Sequence, residues 1–361
     1  MRLPTEEELA LRDACREVLA KHASSARIRL VSESGTGFDA GFWQLAADLG
    51  WTALAVPEDA GGLGGGVALL AVVAEELGRA LQPGPLAQTL AAAYVLGRHP
   101  TADGVHGLLS AIGAGTVIAT WAGLGPDRCE LPVIGDGALH GAVEFVPDPA
   151  AATHLVVPLR TDDGIRLAVV ELAGAGVEPM PTIDLTRRYA RVRLDGLPAP
   201  AIQLPGEAGR ALFDLGVVLQ CAESTGIARR LLEMTVTYAG QREQFGRPIG
   251  SFQALKHRMA DMLAAAEGCR VATREAADAL DGGAAPGGES VSIAKSWVGR
   301  AASFVATEAL QIHGGIGFSW EHDLHLFLRR AKANELLLGS PGWHDERLYR
   351  AVLATAGAAG E

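Results

Sequence analysis

The chain has 361 residues, 48% of them hydrophobic, which is enough to bury a sizeable core and is typical of two to three domains. Its formal net charge of -11 argues against nucleic-acid partners, because binding to a phosphate backbone depends on clustered lysine and arginine. Aromatic residues make up only 5% while alanine and glycine are abundant, so close-packed helices are favoured over an aromatic-rich β architecture.

The N-terminal third has the apolar spacing of helices. Thr5 followed by Glu8 forms a capping-box pattern, which predicts that the first helix starts there. Residues 42–49 are predicted to form a second, short helix, and residues 67–81 a strongly apolar third. The sequence therefore predicts an N-terminal helical domain over residues 1–112.

Targeting signals are absent from the start of the sequence. Its first residues are charged and lack the apolar segment of a signal peptide, and no run approaches the roughly 18 apolar residues of a membrane span. The cysteines are widely spaced without a CxxC pair, and we expect buried free thiols. They are Cys15, Cys129, Cys221 and Cys269. A cytoplasmic protein without a membrane partner is the expectation.

A glycine-rich stretch at residues 61–66 raises the question of a phosphate-binding turn. No strand pattern precedes it, its glycines do not fit GxGxxG, and no suitable acidic residue follows. We therefore interpret the stretch as a flexible connection.

Short runs of valine, isoleucine and leucine replace the helical pattern in the middle of the chain. Residues 156–159, 165–172 and 189–194 are predicted strands, separated by turn signals such as Asp162-Asp-Gly164. Because the strands are short and no helical segments intervene, an antiparallel sandwich or barrel is predicted over residues 113–206.

The helical period returns over long stretches after residue 206. Helices are predicted over about residues 290–312 and 321–337, preceded by two long helical segments and a glycine-rich loop at residues 282–288. This pattern predicts a C-terminal four-helix bundle over residues 207–361.

Two polar turns in this bundle could bind a ligand. In the first, Arg242 could bind a phosphate, Gln244 and Gln253 could bond a heterocycle or sugar, and Phe245 could pack on a flat ring. The alternative is a plain helical hairpin in which Arg242 pairs with Glu243 or a helix end. Composition leaves both interpretations open.

The second turn, residues 311–318, has glycines that permit close backbone approach to a ligand. Taken alone it is an ordinary glycine-rich helix end. His313, His322 and His325 lack the carboxylate or cysteine arrangement that would complete a metal site, so no metal is expected.

The sequences of these two turns resemble the most distinctive stretches of the acyl-CoA dehydrogenase family. They are residues 242–262 (REQFGRPIGSFQALKHRMADM) and 311–318 (QIHGGIGF); residues 55–66 (AVPEDAGGLGGG) also resemble that family's first domain. The resemblance covers nearly the whole chain. It implies a mainly α fold with a central β domain, in which an N-terminal helical domain precedes a β-sandwich or barrel and a C-terminal four-helix bundle.

The resemblance also implies a reaction and a cofactor. In that family a carboxylate base removes the α-proton of an acyl-CoA thioester while the β-hydrogen passes as hydride to FAD, giving a 2-enoyl-CoA. FAD is shared across a subunit contact, and an electron-transfer flavoprotein is the expected electron acceptor. The implied cofactor-binding residues here are Arg242, Gln244, Phe245, Gln253, Gln311, Gly314 and Gly315.

The catalytic base of the family has no counterpart in this sequence. It commonly follows an RDAK-like stretch, and aligning Arg329-Arg-Ala-Lys332 with that stretch puts Leu338 at the base position. Some relatives carry the base on the helix before the REQFG turn, where this chain has Gly216. Neither residue can accept a proton, so the catalytic residue stays unassigned.

The segments that face the flavin ring in the family also depart from its pattern. Residues 120–127 and 144–147 keep neither a TEPxAGSD-like loop nor a WIT-like strand. This loss resembles the non-catalytic subunit of actinobacterial heterotetrameric acyl-CoA dehydrogenases, several of which act on steroid side-chain thioesters. The chain is then expected to complete the FAD site of a related catalytic subunit.

Two other functions stay open. The chain could form an active homotetramer with a relocated base, for which Glu335, Asp214 and Glu223 are the candidates. It could instead be a scaffold or binding protein that keeps the fold and holds no flavin.

Overall fold

The computed structural model describes residues 2–100, 102–126, 130–282 and 288–358. Helices come first, strands follow and helices return, which confirms the predicted fold class. The first group of helices is α1 (Glu6–His22), α2 (Ser25–Glu33), α3 (Ala40–Asp48), α4 (Val67–Ala80), α5 (Leu86–Leu96) and α6 (Val105–Gly113).

The capping box of α1 forms as predicted. The Thr5 hydroxyl accepts a hydrogen bond from the Glu8 amide at 3.2 Å, and the Glu8 carboxylate accepts one from the Thr5 amide at 2.9 Å. The sequence did not predict α2, α5 and α6. In α5 almost every side chain is buried, so its apolar residues form no one-sided stripe from which a helix could be predicted.

The strands between the two helical regions form two sheets. These strands are β1 (Ala119–Trp121), β2 (Val133–Gly135), β3 (Ala138–His140), β4 (Ala142–Pro147), β5 (His154–Thr161), β6 (Gly164–Glu171), β7 (Gly176–Met180), β8 (Tyr189–Arg193) and β9 (Ile202–Pro205). The larger sheet has the order β3-β2-β5-β6-β9 with β1 also on β5, and the smaller has the order β4-β8-β7. Buried residues of both sheets, such as Val157 and Val192, share one core.

The β region is less uniformly antiparallel than predicted. β5 and β6 pair antiparallel along their whole length, around the turn signal at residues 162–164. However, β1 and β2 both run parallel to β5. Parallel pairing joins strands that are distant along the chain, and turn signals report only on consecutive strands.

Helices again dominate after the strands. They are α7 (Gly206–Gln241), α8 (Gln253–Asp281), α9 (Glu289–His313), α10 (Leu324–Leu336) and α11 (Pro341–Ala358). By length and composition α7 could pass for a membrane span, but 89% of its most apolar window is buried inside the protein, as in the core helix of a globular domain. The length and composition of α7 are therefore only weak evidence that this helix spans a membrane.

The chain divides into two compact units. The first, called the helical unit below, comprises Met1–Ser25, Ala71–Gln82 and Val217–Glu361. The second, called the mixed unit, comprises Ala26–Leu70 and Pro83–Gly216. The division cuts through α4 and α7, so it follows packing within the fold, and the three domain limits drawn from the sequence stay a prediction.

The cysteines within the described residues are buried free thiols, as predicted. They are Cys15, Cys221 and Cys269. Burial raises the pKa of the Cys15 and Cys221 thiols to about 12, so neither is a reactive thiolate at neutral pH. Cys129 lies outside the described residues.

Candidate functional site

The turn after α7 is a short β-hairpin. Strands β10 (Glu243–Gln244) and β11 (Arg247–Pro248) pair antiparallel, with Gln244 opposite Arg247. The two residues between them, Phe245 and Gly246, have φ of 53° and 73°, the positive values of a type I′ turn. The Phe245 side chain at this turn is 92% exposed.

Arg242 lies at the base of this hairpin. Its amide bonds the Tyr238 carbonyl and its carbonyl accepts from the Ile249 amide, both at 2.8 Å, which fixes its backbone. Within the described part of the chain, no ion pair joins the exposed side chains of Arg242 and Glu243. The guanidinium is therefore available to an anionic ligand.

Aromatic contacts hold the hairpin against the start of α8. The Phe245 and Phe252 rings meet edge to face with centroids 6.1 Å apart, and the Arg247 guanidinium lies 4.2 Å from the Phe252 ring centre. Gln253, the first residue of α8, is exposed beside them. The predicted polar residues of this turn thus lie on one small, exposed platform.

The second predicted turn ends α9. Gly314 has φ of 61° and ψ of −141°, a conformation that favours glycine, and residues Gly314–Phe318 continue as a 3₁₀ helix. A Cβ placed on Gly314 or Gly315 would meet no atom within 4 Å. Both glycines thus border open space, and Gln311 is exposed on the preceding helical turn. Backbone and amide groups here are accessible to a ligand.

A stacked ring pair joins the two turns. The Tyr238 and His313 rings are 4.4 Å apart at 18°, and the Tyr238 hydroxyl donates to the His313 carbonyl at 3.4 Å. Tyr238 precedes Arg242 by one helical turn, and His313 follows Gln311 by two residues. The structure therefore brings the two predicted segments together, through a tyrosine that the sequence reasoning did not single out.

The three histidines considered as metal ligands make ring-packing contacts. Burial lowers the pKa of His313, whose Nδ1 bonds the Ala309 carbonyl at 2.8 Å, and the His322 ring meets it edge to face at 5.1 Å. His325 stacks on Trp320 instead. Over the described residues, no group of three histidine, cysteine, aspartate or glutamate side chains is arranged to hold a metal ion.

Leu338, at the first base position, lies in a tightly bonded turn. It has a positive φ of 58°. The buried Lys295 ammonium donates to the Leu337 carbonyl at 2.7 Å, and His344 Nε2 bonds the Leu338 carbonyl at 3.0 Å. His344 Nδ1 in turn bonds Ser292 Oγ at 3.1 Å. These hydrogen bonds fix the turn, and the Leu338 side chain itself offers no proton acceptor.

We expect His344 to make stability depend on pH. Burial lowers its pKa from 6.5 to about 4, so its contribution is complete above pH 6.5 and is lost as the pH falls toward 4. At about 1.4 kcal/mol per pKa unit, the loss amounts to about 3 kcal/mol. The free energy of unfolding, measured by urea denaturation at several pH values between 7 and 4, gives this loss. His344→Gln should flatten this dependence, whereas the exposed His257→Gln should leave it unchanged; equal slopes in both variants would contradict the assignment.

Gly216, at the second base position, is packed under a tryptophan. A Cβ on Gly216 would lie 2.2 Å from Cζ2 of Trp121. The Thr120 hydroxyl, buried beside it, donates to the Pro147 carbonyl at 2.7 Å. Residues 120–127 and 144–147 correspond to the segments that face the flavin ring in the acyl-CoA dehydrogenase family. In this chain the Thr120–Pro147 hydrogen bond joins these two segments to each other. Asp127 lies outside the described residues.

The carboxylates proposed as relocated bases are engaged elsewhere. Glu335 bonds Ser303 Oγ at 2.5 Å and Lys332 Nζ at 3.1 Å. Glu223 forms a buried ion pair with Arg330 at 2.5 Å and accepts from Asn334 at 2.9 Å. Asp214 is only 1% exposed. These contacts favour structural roles for all three.

Two family models match most of the chain. The one described as "Acyl-CoA dehydrogenase, N-terminal domain" matches residues 5–115, and the one described as "Acyl-CoA dehydrogenase, C-terminal domain" matches residues 209–353. Among curated proteins, the acyl-CoA dehydrogenase IpdE2 of Mycolicibacterium smegmatis is 37% identical over 96% of this chain and 99% of its own length.

Solved structures agree over the whole fold. A variant of the Tcur3481-Tcur3483 steroid ACAD has a TM-score of 0.90 and 30% identity, covering 98% of this chain and 99% of that chain. The ChsE4-ChsE5 complex from Mycobacterium tuberculosis has a TM-score of 0.89 and 27% identity, with the same coverage.

Proposed function

Since the chain belongs to the acyl-CoA dehydrogenase family of FAD-dependent enzymes, we propose that it completes the FAD site of a related catalytic subunit. The observation that carries this proposal is an asymmetry. Leu338 and Gly216 offer no base, whereas Arg242 and the open glycines at 314 and 315 remain accessible to a ligand. FAD, when bound in the assembly, supplies the hydride acceptor for α,β-dehydrogenation of an acyl-CoA to the 2-enoyl-CoA.

The residues of this chain fit one end of FAD. An exposed guanidinium on a fixed hairpin suits a pyrophosphate, so we assign that contact to Arg242, with Gln244, Phe245 and Gln253 beside it. Gln311, Gly314 and Gly315 would border the adenine end. The flavin-ring end does not fit, since Thr120 and Trp121 are committed to internal contacts. A cofactor held at one end here needs a second chain for the other.

The exposed face of α9 is the contact we propose for that second chain. Ile293, Trp297 and Phe304 are 55%, 50% and 40% exposed, and the stripe continues to Gln311. Trp297, Phe304 and Gln311 are spaced by seven residues, the repeat at which two helices can pack along a common seam. A partner docked on this stripe would therefore lie beside the proposed cofactor residues.

Two relatives support a hetero-oligomer by their names. Both the Tcur3481-Tcur3483 steroid ACAD and the ChsE4-ChsE5 complex are described as pairs of different chains. We propose the same type of pairing for this chain in the cytoplasm, with an electron-transfer flavoprotein as acceptor. The steroid named for the first relative makes a steroid side-chain thioester one substrate candidate here, beside fatty acyl-CoA.

Arg242→Ala should release FAD from the assembled complex. Loss of charge-assisted hydrogen bonds to a phosphate is expected to weaken FAD binding about ten- to a hundredfold. The chain is co-expressed with its genomic neighbour, and flavins are counted by absorbance and native mass. We expect two flavins per four chains in the wild-type complex and fewer in the variant, with Arg12→Ala as the matched surface control.

Two results would contradict the proposal. Four flavins in a tetramer of this chain alone would show that it holds the whole cofactor by itself. Unchanged FAD affinity in Arg242→Ala would remove Arg242 from the cofactor site.

A further inference from the structure

The loop after β1 interlocks with one face of α7 in the mixed unit. Gly209, Phe213 and Gly216 are spaced by four and three residues, so they lie on the same side of the helix. A Cβ on Gly209 would lie 3.2 Å from Leu124, and a Cβ on Gly125 would lie 2.2 Å from the Phe213 ring. Each glycine makes room for a large side chain of the opposite segment.

Trp121 is the largest side chain in this interlock. Its indole lies directly on Gly216, since Cζ2 and Cη2 would be 2.2 and 2.3 Å from a Cβ there. The residue is 7% exposed. Its Nε1–H has no hydrogen-bond acceptor among the residues that the structure describes, which costs stability. Phenylalanine or leucine would avoid that cost, so packing alone does not account for an indole here.

The indole of Trp121 lies in the direction that a side chain at position 216 would take. A base at position 216 would have to extend along its Cα–Cβ bond to reach the α-carbon of a bound acyl group. That bond points into the indole ring. The ring therefore fills the space into which a side chain at position 216 would extend.

We propose that Trp121 closes the acyl-chain position of this subunit, so that acyl-CoA binds only at the catalytic partner. The proposal rests on the function proposed above. It assigns Trp121 a role in specificity, by exclusion, and it explains why Gly216 carries no side chain. Any residue larger than glycine at 216 would force the indole to move.

Shortening Trp121 should create an acyl-CoA site. The full chain is titrated calorimetrically with octanoyl-CoA, comparing wild type with Trp121→Ala and the milder Trp121→Leu. An apolar cavity next to α7 should bind the acyl chain at least about tenfold more tightly, as the burial of two methylene groups would. Trp51→Ala is the matched control, because Trp51 is similarly buried in the same unit, at 5% exposure, and packs against Phe42, so it should give no gain.

Packing gives a second measurement if the alanine variant folds poorly. Gly216→Ala should lower the Tm of the wild type but have little effect in the Trp121→Leu background. Equal octanoyl-CoA affinity in wild type, Trp121→Leu and Trp121→Ala would overturn the proposal. So would a Tm loss from Gly216→Ala that is as large in the Trp121→Leu background as in the wild type. Such results would leave the partner role intact, because that role is tested separately by the activity and the flavin content of the wild-type chain alone.

Discussion

Purified alone, this chain is expected to dehydrogenate acyl-CoA at least a hundredfold more slowly than its complex with a catalytic partner. A positioned general base contributes about 10² to 10⁴ in rate, and neither Leu338 nor Gly216 can supply one. Steady-state turnover of octanoyl-CoA with an electron-accepting dye, measured on both preparations at equal chain concentration, gives the ratio.

The variant Glu335→Gln tests the competing interpretation, in which this chain is an active homotetramer with a relocated base. The Glu335 carboxylate is already bonded to Ser303 and Lys332, so Glu335→Gln should change neither the residual rate of the isolated chain nor the rate of the complex. Glu321→Gln, an exposed residue before α10, is the matched variant. Robust turnover by the chain alone that Glu335→Gln abolishes, and Glu321→Gln does not, would establish a relocated base.

Gly226→Ala is expected to destabilise the helical unit strongly. A Cβ at Gly226 would lie 1.9 Å from the Glu75 carbonyl oxygen and 2.8 Å from the Arg79 amide, so α7 and α4 meet there backbone to backbone. Backbone cannot move aside as a side chain can. Overpacking of this kind costs about 2–3 kcal/mol, and Tm should fall by several degrees.

Gly240→Ala tests whether the contact, and not the loss of a glycine, causes the effect. Gly240 lies on the same helix with no atom within 4 Å of its Cβ position, so alanine there should be neutral or stabilise by about 0.5–1 kcal/mol. Gly78→Ala, whose Cβ would meet the Glu223 carbonyl at 2.1 Å from the other helix, should behave like Gly226→Ala. Equal thermal stability in all three variants would refute the close helix contact.

Local signals account for what the sequence predicted well. The capping box at Thr5 and Glu8 needs only residues three apart, and both of its hydrogen bonds form. The long helices α4 and α9 begin and end within one residue of their predicted limits, because a strongly apolar run predicted the first and the helical period predicted the second. The scarcity of aromatic residues and the abundance of glycine likewise indicated close helix contacts, as at Gly226.

The family, the cofactor type and the empty base positions also followed from sequence alone, because each depends on which residue stands at a position in a motif. The assignment of Arg242 and the other cofactor residues stays a prediction of that kind. Burial hid other elements: α5 has no polar face, so its periodicity could not be seen.

Tertiary structure alone decided how distant residues meet. Tyr238 stacks on His313 across 75 positions, and the Trp121 indole lies on Gly216 across 95. No periodicity or motif links such pairs, because their contact depends on how whole helices and strands pack. The sequence determined that Gly216 could not be a base; only the fold determined that the space beside it is filled by the ring of Trp121.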